Sequence, residues 1–317
     1  MTNIQTQSLT DGLSETAASF LEKHNIVIDV KDAMKNAFAA GNPQQRGVLI
    51  ASFDEAILGL IDETDVYGFT DGQIQAYVDG ILNSKPIIVE YEDNMVLSMP
   101  TSSRIGNGPG YEVKSNSGFC QSTAYVTIPT AYNAGSTNAW MFYTVSSPLS
   151  SWCIDVGLFY AYGTGGNAWR GFYTVGDTVS GSVISGLSAG SSVYFNAKIQ
   201  SDGYLRFRVL DGTDFSITYY DLLYYVGSNK IYQSNGVFNR QITMTSNNGN
   251  FTNGSYISNA AFSNAYLYTT NGYSLVGTSN TDSTRCGAFG TTANNAATFV
   301  TVNSYSTWYA EDVSISF

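Results

Sequence analysis

Asp211 and Asp214, in Asp211-Gly212-Thr213-Asp214, offer a closely spaced pair of carboxylates. Two carboxyl groups about 5–10 Å apart are what glycosidic hydrolysis requires, one as acid and one as base or nucleophile. This pair follows a predicted strand into a Gly turn, where Asp is the expected turn former. A Ser or Cys nucleophile needs a neighbouring base. The one histidine, His24, falls at the end of a predicted N-terminal helix, where the helix dipole favours it. Cys120, Cys153 and Cys286 are far apart, which excludes CxxC knuckles and a disulfide scaffold. The acidic loop Asp62-Glu63-Thr64-Asp65 lacks calcium-loop spacing, because its sixth position is Tyr67 and not Gly. No catalytic residue, metal ligand or cofactor is assigned.

Recognition without chemistry needs flat rings to stack on sugar C–H groups and amides to bond hydroxyls. Tyr160, Tyr162, Asn167 and Trp169 supply both in Tyr160-Ala161-Tyr162-Gly163-Thr164-Gly165-Gly166-Asn167-Ala168-Trp169. Asn250, in an Asn-rich stretch, and the pair Tyr219-Tyr220 complete the candidate ligand-binding set.

Two unlike regions must position these residues. Up to residue 85 the apolar residues repeat at helical spacing. Leu13, Ala17, Phe20 and Leu21 form one face; Val30, Ala33, Met34, Ala37 and Phe38 form a second. Ile50, Phe53, Ile57, Leu60 and Ile61 form a third, and Ile74, Tyr77, Val78, Ile81 and Leu82 a fourth. Ser8 or Thr10 is the expected cap of the first helix. From Tyr111 onward, period-2 alternation takes over. In Val193–Leu210 the set Val193, Phe195, Ala197 and Ile199 faces a core, and Tyr194, Asn196 and Lys198 face away. Asp202-Gly203 makes the hairpin turn, after which Leu205, Phe207 and Val209 face in and Arg206 and Arg208 face out. About a dozen such strands predict two packed antiparallel sheets. The expected fold is all-β: an antiparallel β-sandwich (jelly-roll or concanavalin-like) over 111–317, preceded by a small acidic α-helical domain over 1–85 and a linker over 86–110.

Charge separates the same two regions. The 317 residues carry −11, and only 12% are charged, about half the usual fraction. Residues 1–100 hold five Lys+Arg against fifteen Asp+Glu, a net −10. Residues 101–317 hold nine against ten, a net −1. So acidic a chain is a poor partner for nucleic acid, which needs clustered Lys and Arg. No stretch reaches the 18 or so apolar residues of a membrane span, and Met1-Thr2-Asn3-Ile4-Gln5 lacks signal-peptide character.

The order of features in the second region is familiar. Gly106-x-Gly108 precedes Tyr111 and Ser117-Gly118, and Ala124-Tyr125-Val126-Thr127-Ile128-Pro129 follows. Then come Ile154-Asp155-Val156-Gly157-Leu158-Phe159-Tyr160, Trp169, Ala197-Lys198-Ile199 and Asp202-Gly203-Tyr204-Leu205-Arg206-Phe207-Arg208. Residues from about 105 to 317 resemble small secreted β-sandwich proteins of spore-forming bacteria, which have no established activity. The Asp-Val-Gly strand is also similar to the glutamic peptidase sandwich, which uses a Gln and a Glu on one sheet. That resemblance puts Asp155 where the family has its Gln and leaves Glu112 and Glu311 as the available Glu. It transfers no catalytic residue.

A neutral, Tyr-rich sandwich predicts a non-enzymatic recognition protein for a glycan or cell-surface ligand, with the helical part serving attachment, oligomerisation or delivery. Low charge also removes the repulsion that keeps copies apart. Self-assembly into a filament, coat or crystal, with a toxin-related role as an extension, is therefore the first alternative, and an acid hydrolase the second. The expected partners are a glycan, a cell surface or copies of the chain itself. The expected location is extracellular or on a particle surface.

Overall fold

A computed structural model describes residues 13–29, 53–54, 56–57, 60–61, 64, 68–83, 99–161, 168–175, 178–270 and 272–317. The chain divides into two compact units. One comprises Met1–Val89 with Thr213–Ile217 and Asn271–Ser274; the other holds the remainder from Glu90 to Phe317.

In the first unit α1 spans Glu15–Lys23 and α2 spans Asp71–Asn83. Their core is Leu13, Ala17, Phe20, Leu21, Phe53, Ile57, Leu60, Ile74, Val78 and Leu82, all buried. These are the residues at helical spacing. Tyr77 departs from that pattern and is exposed. The second helical face, Val30–Phe38, lies outside the described residues. The cap of α1 is Ser14, not Ser8 or Thr10: its Oγ accepts from the Ala17 amide. The Ser14 amide and hydroxyl in turn donate to Asp54 Oδ1 at 2.8 and 2.7 Å. His24 ends the helix, its Nδ1 lying 2.7 Å from Asp71 Oδ1.

The second unit is a two-sheet β-sandwich. The eight-stranded sheet runs β1 (Thr101–Ile105), β15 (Thr281–Gly290), β2 (Gly110–Ser115), β12 (Val237–Ser246), β5 (Thr137–Ser146), β6 (Cys153–Ala161), β7 (Ala168–Val175), β8 (Thr178–Val183). The nine-stranded sheet runs β11 (Thr218–Tyr225), β10 (Tyr204–Asp211), β9 (Ser192–Ser201), β3 (Gln121–Thr127), β13 (Tyr256–Thr269), β17 (Ala310–Ser316), β16 (Val300–Ser306). The short strand β4 (Thr130–Tyr132) also pairs with β13, while most of β14 (Gly272–Leu275) belongs to the first unit. β1 pairs with β15 in parallel, and neighbours along the rest of both sheet orders pair antiparallel. Strand β1 falls within the stretch read from sequence as a linker.

The predicted hairpin is β9 and β10, closed at Gly203 with φ +84°. Any side chain there would lie 2.7 Å from the Gly227 carbonyl carbon, so the turn requires glycine twice over. Val193, Phe195, Ala197, Ile199, Leu205, Phe207 and Val209 are all fully buried, as their alternation predicts. Tyr194, Asn196 and Arg208, expected outside, are buried too. Tyr194 packs on Tyr125 at 5.2 Å, and Gln121 Nε2 donates to Asn196 Oδ1. The three cysteines are free, Cys120 and Cys286 buried and Cys153 exposed.

Between the sheets, Phe195, Phe238, Phe262 and Tyr143 pack with centroids 5.9–6.5 Å apart. Inside this aromatic core lies one complete ion pair. Arg240 of β12 donates through Nε and Nη2 to both Glu311 oxygens on β17, at 2.7 and 2.5 Å, and its guanidinium lies 5.8 Å from the Phe262 ring centre. Burial works against the charge on Arg240, but the Glu311 carboxylate outweighs it and raises the arginine's pKa. Breaking such a pair leaves a charge stranded in the core. Glu311→Ala is therefore expected to lower the unfolding free energy by about 3–5 kcal/mol in urea titrations. The double variant Arg240→Met/Glu311→Leu should recover most of that loss.

Candidate functional site

Core residues on each strand send their neighbours to the opposite face. On the outer face of the eight-stranded sheet, the register aligns three rows. The first holds Lys114, Asn239, Thr144, Asp155 and Thr174. The second holds Glu112, Gln241, Phe142, Gly157 and Phe172. The third holds Gly110, Thr243, Trp140, Phe159 and Arg170.

Glu112 is the hub of the polar part. Its Oε1 accepts from Ser102 Oγ at 2.5 Å and Arg285 Nε at 2.7 Å. Its Oε2 accepts from Asn239 Nδ2 at 2.9 Å, Arg285 Nη2 at 3.0 Å and Arg104 Nη1 at 3.2 Å. Burial alone would raise its pKa. Hydrogen bonds from Arg285, Ser102 and Asn239, with the charge of Arg104, outweigh burial and hold it below the ordinary glutamate value. Glu112 is thus a fixed anion with its acceptor positions taken.

From this hub a chain of hydrogen bonds crosses the sheet. Arg104 Nη1 also donates to Gln241 Oε1. Gln241 Nε2 donates to Thr144 Oγ1 at 2.7 Å, and Thr144 donates to Asp155 Oδ1 at 2.6 Å. Burial pushes the Asp155 carboxyl up against the opposing pull of Thr144 and Arg104. The Arg104 guanidinium itself rests 4.7 Å from the Phe289 ring centre.

Beside this chain lies an aromatic platform. Trp140 stacks on Phe159 at 4.9 Å and 19°, and Phe172 meets both edge-on at 4.9 and 5.6 Å. Trp140 Nε1 donates to Thr245 Oγ1 at 2.9 Å, which fixes the indole. Phe142 and Phe172 are buried, while Trp140 and Phe159 keep part of their surface open. Gly157 lets strands and rings close up, since a Cβ there would lie 2.5 Å from Phe142 Cα.

The residues singled out from sequence are distributed differently. Tyr160 and Trp169 face the interior side of β6 and β7 with rings 5.5 Å apart, and Trp169 is buried. The Tyr220 ring packs over Gly171, and the Tyr219 hydroxyl donates to Asp211 Oδ2 at 2.8 Å. Asn250 is exposed, its Oδ1 accepting from the Thr252 amide and hydroxyl. Tyr162 and Asn167 lie outside the described residues. Asp214 caps its own turn by accepting from the Ser216 amide and hydroxyl. Of the carboxylates that the peptidase resemblance drew attention to, Glu112 and Asp155 share the outer face, and Glu311 is inside. The amide opposite Glu112 is Gln241. Sequence reasoning missed Arg104, Trp140, Gln241 and Arg285. The available signal was the polar alternation Asn239, Gln241, Thr243, Thr245 against apolar Phe238, Ile242 and Met244.

No known family model matches the sequence, and no curated protein does. Among solved structures, the chain has a distant similarity to concanavalin-like β-sandwich proteins. One is scytalido-glutamic peptidase with a transition state analog inhibitor, at 14% identity and TM-score 0.43, covering 66% of this chain and 98% of that one. Another is SCP-B, a member of the Eqolisin family of peptidases, at 12% identity and TM-score 0.41 over the same shares. LamAcat from Zobellia galactanivorans is similar at 11% identity and TM-score 0.28, over 42% of this chain and 57% of that one.

The lowered pKa of Glu112 has a definite sign. Its stabilisation is complete at neutral pH and is lost as pH falls through the lowered value. Glu112→Gln should melt roughly 5 °C or more below the parent at neutral pH, on the scale usual for a domain of this size. Acidification should close that gap, because the parent then loses the same charge; thermal melts across a pH series measure it.

Proposed function

We propose that the protein is a non-enzymatic recognition module that binds a carbohydrate across the outer face of the eight-stranded sheet. The observation that carries this reading is the half-open Trp140–Phe159 platform beside the Arg104–Gln241–Thr144–Asp155 hydrogen-bond chain. The part-open outer edges of these stacked rings offer apolar surface to sugar C–H groups. Thr144 and Asp155, half-buried at the end of the chain, offer polar groups already held in place, so little ordering is needed on binding. The acidic helical unit serves attachment, oligomerisation or delivery in this reading, at a cell or particle surface. The test is a glycan array followed by titration of the best ligand. Trp140→Ala is expected to weaken binding about tenfold, or about 1.4 kcal/mol. Equal affinity for parent and variant would refute the assignment of this face.

One observation favours a second reading, an acid hydrolase. Gln241 and Glu112 are direct register partners on adjacent strands, both buried on the outer side of the sheet. A carboxylate can take a proton from water while an amide steadies an oxyanion. Arg104 now bridges the two groups, and Glu112 has its acceptors filled, so this reading ranks second. It requires peptide or glycoside cleavage at acid pH that Glu112→Gln and Gln241→Ala each abolish.

A further inference from the structure

Arg170 stands apart from the other guanidiniums of the outer face. Arg104 and Arg285 share the Glu112 carboxylate. Arg170 is half-buried at the end of the aromatic row, with Phe159 beside it on β6 and Val183 on β8. Among the described residues it makes no hydrogen bond or ion pair, and its Nε is buried without a partner. A partly desolvated charge with no counter-charge costs free energy that the fold alone does not return. A guanidinium is also a planar fork shaped for a carboxylate. The face around it is short of negative charge. Arg104 and Arg285 meet one fixed anion, Glu112, Lys114 pairs with Asp282, and burial disfavours the charge on Asp155, which leaves Arg170 unmatched among the described residues.

We infer that the ligand is an acidic glycan, whose uronate carboxylate is taken by Arg170 while a neighbouring ring packs against the open edges of Trp140 and Phe159. The inference rests on the carbohydrate-binding reading and names the ligand class. Trp140 and Arg170 lie two strands apart, about 10 Å at ordinary strand spacing, within reach of a short oligosaccharide. The polar chain from Arg104 to Asp155 then meets the hydroxyls of the adjoining unit.

The test titrates the full-length chain with a uronic-acid hexasaccharide and with its carboxyl-reduced, neutral counterpart, at near-physiological salt. The acidic sugar is expected to bind about tenfold or more tightly than the neutral one. In Arg170→Gln that difference should collapse, and Arg170→Lys should restore only part of it. Free Arg170→Gln should melt no lower than the parent, because an uncompensated charge has been removed; a structural arginine would give a lower midpoint. Equal affinity for the two sugars overturns the inference and leaves carbohydrate binding standing. A preference that survives in Arg170→Gln and disappears in Arg104→Gln also overturns it. Failure of acidic and neutral glycans alike to bind removes the carbohydrate reading and this inference together.

Discussion

Arg240 and Glu311 face one another between the two sheets, and this buried pair constrains more than its own neighbourhood. Two charges out of water are tolerable only when geometry and hydrogen bonding are complete. Here the fork of Arg240 meets both carboxylate oxygens and also reaches the Trp308 carbonyl. Because strand side chains alternate, holding Arg240 inward turns Asn239 and Gln241 outward. A slip of one residue in β12 would strand Arg240 outside and put an amide in the aromatic core. The register that satisfies the ion pair is therefore the one that sets Gln241 opposite Glu112 and Asn239 within 2.9 Å of it.

On the outer face the charges are arranged to hold position. Five donors on one buried carboxylate leave Glu112 no acceptor free for a substrate proton. The same bonds orient Arg104, whose other contact begins the chain to Gln241, Thr144 and Asp155. Aromatic rings next to that chain are fixed in turn, by stacking and by the Trp140–Thr245 hydrogen bond. The result is an ordered surface with part-open rings and prearranged polar groups. In the proposed reading, such a surface serves recognition and not proton transfer.

Much of the architecture was legible because it is written locally. Period-2 alternation marked β9 and β10, Asp202-Gly203 marked their turn, and helical spacing marked the buried faces of α1 and α2. The failures have physical causes. Ser8 and Thr10 resemble Ser14 as caps, and what distinguishes Ser14 is its contact with Asp54, 40 residues away. Tyr194, Asn196 and Arg208 were polar enough to be placed in solvent, yet the tertiary structure buries them. Trp169 suited sugar stacking by type, but its parity on β7 turns it inward, where it is buried, whereas Tyr160 keeps part of its surface open.

The amino-acid sequence by itself determined the division into an acidic helical part and a nearly neutral β-sandwich, since both follow from short-range periodicity and residue counts. The tertiary structure alone decided the outer face. Glu112 meets Asn239 and Arg285 from 127 and 173 residues away, and Arg104 meets Gln241 across 137. Strand order brings these partners together, and no local pattern encodes which strands become neighbours. The same order leaves Arg170 beside phenylalanine and valine, with no acid in reach among the described residues. The −1 balance of the β-region thus conceals a surface with a locally unmatched positive charge.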